Sequence, residues 1–64
     1  MDKQITLWWE GERTIIVSLD TIVDGETVVT HTLREYDYDD RSAAEAFGVQ
    51  AAVDRGVPIT NNLD

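Results

Sequence analysis

Two successive stretches of the chain alternate apolar and polar residues, and that alternation leaves few folds open to it. In Gln4 to Glu10, Ile5, Leu7 and Trp9 fall on one side, with Gln4, Thr6, Trp8 and Glu10 on the other. Thr14 to Asp20 repeats the pattern with Ile15, Val17 and Leu19. A period of two is the signature of a half-buried strand. Between the stretches lies Glu10-Gly11-Glu12, whose glycine can take a positive φ, so a three-residue hairpin loop is expected there. That loop pairs Trp9 with Arg13, Leu7 with Ile15 and Ile5 with Val17. Cross-strand partners share a face, so both apolar sets come to one side.

Asp24-Gly25 is the strongest two-residue hairpin signal in the chain. It sets Val23 against Glu26 and Ile22 against Thr27, and starts a third strand from Glu26 to about Tyr36. Ile22 would then share a face with Val29 and Leu33. Ile15, Val17 and Leu19 are odd-numbered and Ile22 is even, so a β-bulge near Asp20-Thr21 is expected to restore a single apolar face; a longer loop around Asp24 would serve as well. Beyond the third strand, Asp39 or Asp40 can cap a helix from about Arg41 to Arg55, rich in alanine and stopped by Gly56-Val57-Pro58. Phe47, Ala44, Ala51 and one flank of Val49/Val53 are expected over the sheet. Gly48 marks either a close helix–sheet approach or a break into two short helices. Residues 59–64 read as a loosely ordered polar tail anchored by Ile59. The fold class expected is α+β: one domain over residues 1–64, a three-stranded antiparallel meander with one helix on one face. Similar topology occurs in small DNA-binding domains of the integrase amino-terminal and plant AP2 type. Their sheets are basic, whereas here Lys3, Arg13 and Arg34 are scattered among acids, so the likeness is architectural.

A chain of 64 residues buries only about 60% of the surface its unfolded form exposes, which leaves little room for a deep substrate cleft. With no cysteine there is no disulfide, thiolate zinc site or thiol nucleophile. Met1 to Gln4 does not lead a basic segment into an apolar one, and no apolar run approaches about 20 residues, so neither a secretory signal nor a membrane span is expected. A cytoplasmic domain is. The most informative bulk property is a net charge of −8, from 13 acids against 5 bases, alongside 42% hydrophobic residues. That apolar content suits a folded domain with a negative exterior. Such an exterior repels nucleic acid and anionic membrane and attracts basic proteins. The plainer reading is solubility, or adaptation to a salty cytoplasm, since Lys3 is the only lysine.

The densest chemistry is Glu35-Tyr36-Asp37-Tyr38-Asp39-Asp40. In an extended strand Asp37 and Asp39 point the same way about 6.6 Å apart, a spacing on the scale of successive phosphates. Carboxylates so arranged can stand in for a nucleic-acid backbone before a basic protein, and the tyrosines add interface area. The alternative is that these acids offset the helix dipole while a tyrosine seals the core edge. As an EF-hand loop the run fails, with Arg41, Ser42 and Gly48 at positions that need an oxygen ligand, a glycine and an acid. Trp8 is the second candidate, on the sheet face away from the helix with Ile16 beside it, suited to an interface or to a homodimer. Glu10, Glu12, Asp24 and Glu26, at the two hairpin turns, are secondary candidates. His31 has no second histidine or cysteine to share a metal, and Ser18 and Ser42 lack any context for a nucleophile. No catalytic residue, metal or cofactor is expected.

Asp39-Asp40-Arg41-Ser42-Ala43-Ala44-Glu45-Ala46-Phe47-Gly48-Val49 resembles a segment of some small phage-encoded anti-CRISPR proteins, in which paired aspartates precede a helix with Glu-Ala-aromatic-Gly-Val. The resemblance implies an inhibitor, acting in the host cytoplasm, that occupies the DNA-binding surface of a CRISPR surveillance complex. It carries over only Asp39, Asp40 and Glu45 as partner-facing. The reading that results is a non-catalytic acidic protein that blocks a basic nucleic-acid-binding surface of a protein partner through Glu35, Tyr36, Asp37, Tyr38, Asp39, Asp40 and Glu45. The alternative is a small homo-oligomer joined through Trp8 and a strand edge.

Overall fold

The computed structural model describes residues 1–64. Strands β1 (Asp2–Glu10), β2 (Thr14–Val23) and β3 (Glu26–Asp37) are followed by a 3-10 turn (Tyr38–Asp40) and helix α1 (Arg41–Arg55). A last strand, β4 (Ile59–Asn61), closes the chain order. The sheet order is β3-β2-β1-β4, with β4 parallel to β1 and the other pairs antiparallel. The α+β class therefore holds, but the sheet is four-stranded and mixed. No helix is long and apolar enough to cross a membrane.

The first hairpin forms with its apolar residues on one face, in a register two residues away from the expected one. Its loop is Gly11–Arg13, with Gly11 at φ 74°, so Glu10 pairs with Thr14, Trp9 with Ile15, Leu7 with Val17 and Ile5 with Leu19. The reason is burial. The expected register sets Trp9 against Arg13, whereas the observed one gives Ile5, Leu7 and Trp9 apolar partners.

The second turn forms as expected, with φ 54° at Asp24 and φ 80° at Gly25, the two positive values a type I′ turn requires. The bulge does not fall on β2. That strand alternates without interruption, and the register shifts lie opposite Val17/Ser18 and Thr21/Ile22, where β3 carries Leu33 and Val28 as extra residues. The central strand is held by neighbours on both sides, so the irregularity is taken up by β3, which has one partner. Ile22 consequently lies on the same face as Ile16 and Ser18, away from the helix, and not with Val29 and Leu33.

Helix α1 is continuous. It ends in a left-handed Gly56 (φ 64°), with the Gly56 N–H donating to Val53 O and the Val57 N–H to Ala52 O. This is a Schellman cap, and Val57 turns back onto the core. Asp40 occupies the N-cap position without a side-chain cap bond, contrary to expectation. Ala44, Gly48, Ala51 and Ala52 face the sheet, with Phe47 half-buried. Val49 and Val53 are 53% and 69% exposed and do not flank the sheet. They lie about 100° and 140° around the helix from Gly48, on which the contact is centred.

Gly48 is the close approach. A Cβ built there would sit 2.8 Å from Leu7 Cδ1 and 3.3 Å from Ile59 Cδ1. Gly48→Ala gains about 1 kcal/mol in helix propensity. It also has to displace a fully buried leucine, a clash of the kind that costs about 1–3 kcal/mol. A net loss of about 1 kcal/mol is expected, read in a thermal melt as a midpoint lower by about 4–8 °C. A raised midpoint would show that the helix has room to spare.

Residues 59–64 are not a loose tail. Ile5 N–H donates to Pro58 O and Asn62 N–H to Leu7 O, both at 2.9 Å, which seats β4 along β1. Leu63 is 6% exposed within the main core and Ile59 38%, so Leu63 is the anchor. The Trp9 Nε1–H donates to Leu63 O at 2.9 Å. Arg41 spans Glu45 (3.6 Å) and Asp64 (2.8 Å), and Asn61 Nδ2 donates to Glu45 at 2.8 Å. Three strand residues carry too little periodicity to be read locally. Burial of one distant leucine, about 1.5–3 kcal/mol, supplies the reason to dock.

Candidate interaction face

The helix covers the face that carries Ile5, Leu7, Ile15 and Val17, which leaves the opposite face of the sheet without a layer of its own. Register identifies its residues, because partners across strands share a face. One row runs Thr32, Ser18, Thr6, Thr60 across all four strands; the next runs Thr30, Asp20, Gln4; a third runs Glu35, Ile16, Trp8.

The middle of this face is held by one hydrogen-bonded chain. Gln4 Nε2 donates to Thr6 Oγ1 (2.9 Å), and Thr6 Oγ1 donates to Asp20 Oδ2 (2.9 Å). From the other side, Trp8 Nε1 donates to Ser18 Oγ (3.0 Å), and Ser18 Oγ donates to Asp20 Oδ1 (2.8 Å). Asp20 is thus the common acceptor, one hydroxyl to each carboxylate oxygen. Thr6, Ser18 and Asp20 are 5%, 0% and 6% exposed, so this is a buried polar network with every side-chain atom satisfied. Trp8 lies directly across from Ile16 and reaches Ser18, two residues along β2. Its indole therefore reaches across to β2, and Ile16, its partner in that row, is only 2% exposed.

Charge is segregated between the two faces. Asp2, Glu10, Asp20, Glu35 and Asp37 share the open face by register. No Lys or Arg joins them. Lys3 and Arg34 pair with Thr21 and Val17, on the helix side. There Arg34 stacks on Tyr36 (5.3 Å) and Phe47 (5.6 Å). Arg13 is in the first turn, over the Tyr38 ring at 4.5 Å. Arg41 and Arg55 are on the helix. The Arg41 guanidinium is held above its ordinary pKa, chiefly by the Asp64 hydrogen bond and further by the charges of Asp64 and Glu45, while desolvation opposes them.

The run Glu35 to Asp40 does not form the single extended patch its sequence suggests. Strand alternation sends Glu35 and Asp37 to the open face and Tyr36 to the helix side, 6.1 Å from Phe47. The strand ends at Asp37, and Tyr38, Asp39 and Asp40 form the exposed 3-10 turn. Asp37 and Asp39 therefore do not repeat along one strand. Glu45 is occupied by Arg41 and Asn61. No three His, Asp or Glu side chains converge closely enough to ligate one ion.

Trp8 is where the alternation put it, half-buried on the open face. Ile16 is beside it but too deep for a partner to touch. Glu10 is on the same face, with Glu12 in the first turn and Asp24 and Glu26 at the far end of β2. The first strand is not a free edge, since β4 covers it; the outer edge of β3 is open. Gln4, Thr6, Ser18 and Asp20 are the residues that sequence reasoning missed. Their signal is the register: only when Leu7 meets Val17 does Thr6 face Ser18 and Gln4 face Asp20. Compared with protein-family models, curated proteins and solved structures, the chain matches none.

Proposed function

We propose that this chain is a non-catalytic acidic binding protein that covers a basic, nucleic-acid-handling surface of a protein partner with the open face of its sheet. The observation that carries the reading is the charge segregation, with Glu10, Glu35 and Asp37 at the end of the open face that holds Trp8, Asp2 at the other end, and no base among them. A uniform acidic coat, of the kind that serves solubility alone, would not send every base elsewhere. A rigid anionic face with an aromatic at its acidic end offers steering to a cationic surface and an anchor on arrival. The anti-CRISPR-like segment suggests the same class of partner, a DNA-surveillance complex in the cytoplasm, with Asp39 and Asp40 extending the contact from the 3-10 turn. Self-association through this face is disfavoured, because a two-fold contact would set carboxylate against carboxylate.

The test compares capture of a partner from lysate by the wild-type chain and by two charge-reversed variants of equal net charge. In one, Glu10, Glu35 and Asp37 become lysine; in the other, Glu12, Glu26 and Asp54 do. Capture at low ionic strength should be lost at high ionic strength, and lost in the first variant by tenfold or more. The second variant should keep most of it. Equal loss in both would reduce the effect to net charge, and capture unaffected in the first would end the acidic mechanism.

A further inference from the structure

We infer that Trp8 is a guanidinium-reading residue, so that the open face selects arginine over lysine in the segment it binds. The inference rests on the reading that this face takes a basic protein. The Trp8 Nε1–H is already donated to Ser18, which is itself held by Asp20. The indole therefore has a fixed orientation and no free donor to offer. Only its π surface remains for a partner, and the half-buried ring keeps part of that surface in solvent.

Two acidic positions share its end of the face. Glu10 lies two residues along β1, about 6.6 Å away at the strand rise, and Glu35 lies in the same row on the far side of β2, two strand spacings or about 9.6 Å away, within reach of a long side chain. A planar cation laid on the ring can direct its edge N–H groups sideways to such acceptors while its face meets the indole. Guanidinium has that shape, with donors in one plane and a weakly hydrated face. An ammonium is compact and strongly hydrated, and it gains from the carboxylates without using the ring. The occupant is thus an arginine-bearing segment of a partner. A second copy of this chain would bring its own carboxylates to the same place.

The experiment titrates the full chain, at low ionic strength, with a capped glycine peptide bearing two arginines and with its lysine counterpart. It follows the two indole N–H resonances by NMR. The expected result is binding of the arginine peptide about fivefold or more tighter, with the Trp8 indole signal moving and that of Trp9, on the helix side, staying in place. Trp8→Leu should bring the two peptides to within about twofold without weakening the lysine peptide. Trp8→Phe, which keeps a π face, should retain part of the preference. Equal affinities in the wild-type chain, or a preference that survives Trp8→Leu, would overturn the inference. If both peptides bind equally, and both are lost on Glu10→Lys with Glu35→Lys, the anionic face stands and only the arginine selectivity fails. If neither peptide binds, both readings fail. Should Trp8→Leu not fold, the wild-type shifts and Trp8→Phe decide the matter.

Discussion

Leu7→Ala is expected to leave the chain largely unfolded at room temperature. Leu7 is fully buried, pairs with Val17 and lies under Gly48, so the helix and both central strands meet on its side chain. Truncating a buried leucine costs about 2–5 kcal/mol, the upper part arising where the surroundings cannot collapse into the cavity. Here one neighbour cannot help, because Gly48, close against Leu7, has no side chain to move into the cavity. A core this small rarely supplies more than about 3–5 kcal/mol in total. Circular dichroism of Leu7→Ala should show little cooperative unfolding. Val49→Ala is the matched control, from a valine 53% exposed, and should change stability by less than about 0.5 kcal/mol. If the two variants melt alike, the helix is docked in the wrong phase.

Asp20→Ala is expected to cost about 2–3 kcal/mol, although it removes one negative charge from a chain with a net charge of −8. The relief of repulsion is small, since exposed charges more than a Debye length of about 8 Å apart are largely screened at physiological salt. The loss is local and larger. Thr6 and Ser18 are nearly inaccessible to water, and both donate to this carboxylate. Hydrogen bonds to a charged group contribute about 1.5–3 kcal/mol, and a buried donor left without an acceptor adds its desolvation cost. In urea titration the midpoint should fall with the slope unchanged. The Trp8 indole should also lose its fixed orientation, seen as a shift of its N–H resonance. An unchanged midpoint would show that the network is ornamental to the fold.

The parts of the molecule that could be read from the chain are those specified by neighbours in sequence. Asp24-Gly25 takes the two positive φ values of its turn because few other dipeptides tolerate them. The helix bounds follow from the alanine-rich run and from Gly56, which has no Cβ to oppose φ 64°. Trp8 falls on the open face by alternation alone. The acidic run is contiguous in sequence but is not one surface, because Tyr36 turns to Phe47 and the chain leaves the strand after Asp37. Ile16 is a contact candidate by alternation, which assigns a face but not a depth, and it lies only 2% exposed.

Alternation, turn chemistry and helix propensity thus determined that this chain makes two hairpins and one helix, and which side chains of β1 and β2 point together. All are consequences of local sterics and a period of two or 3.6 residues. The tertiary structure alone decided the register of the first hairpin, the transfer of the bulges to β3, and the docking of β4 through Leu63. It also decided the assembly of Gln4, Thr6, Trp8, Ser18 and Asp20 into one network. In each case several local solutions have nearly equal energy. The choice falls to contacts between residues distant in sequence, such as Trp9 on Leu63 and Leu7 beneath Gly48, whose free energy exists only once the whole core is closed.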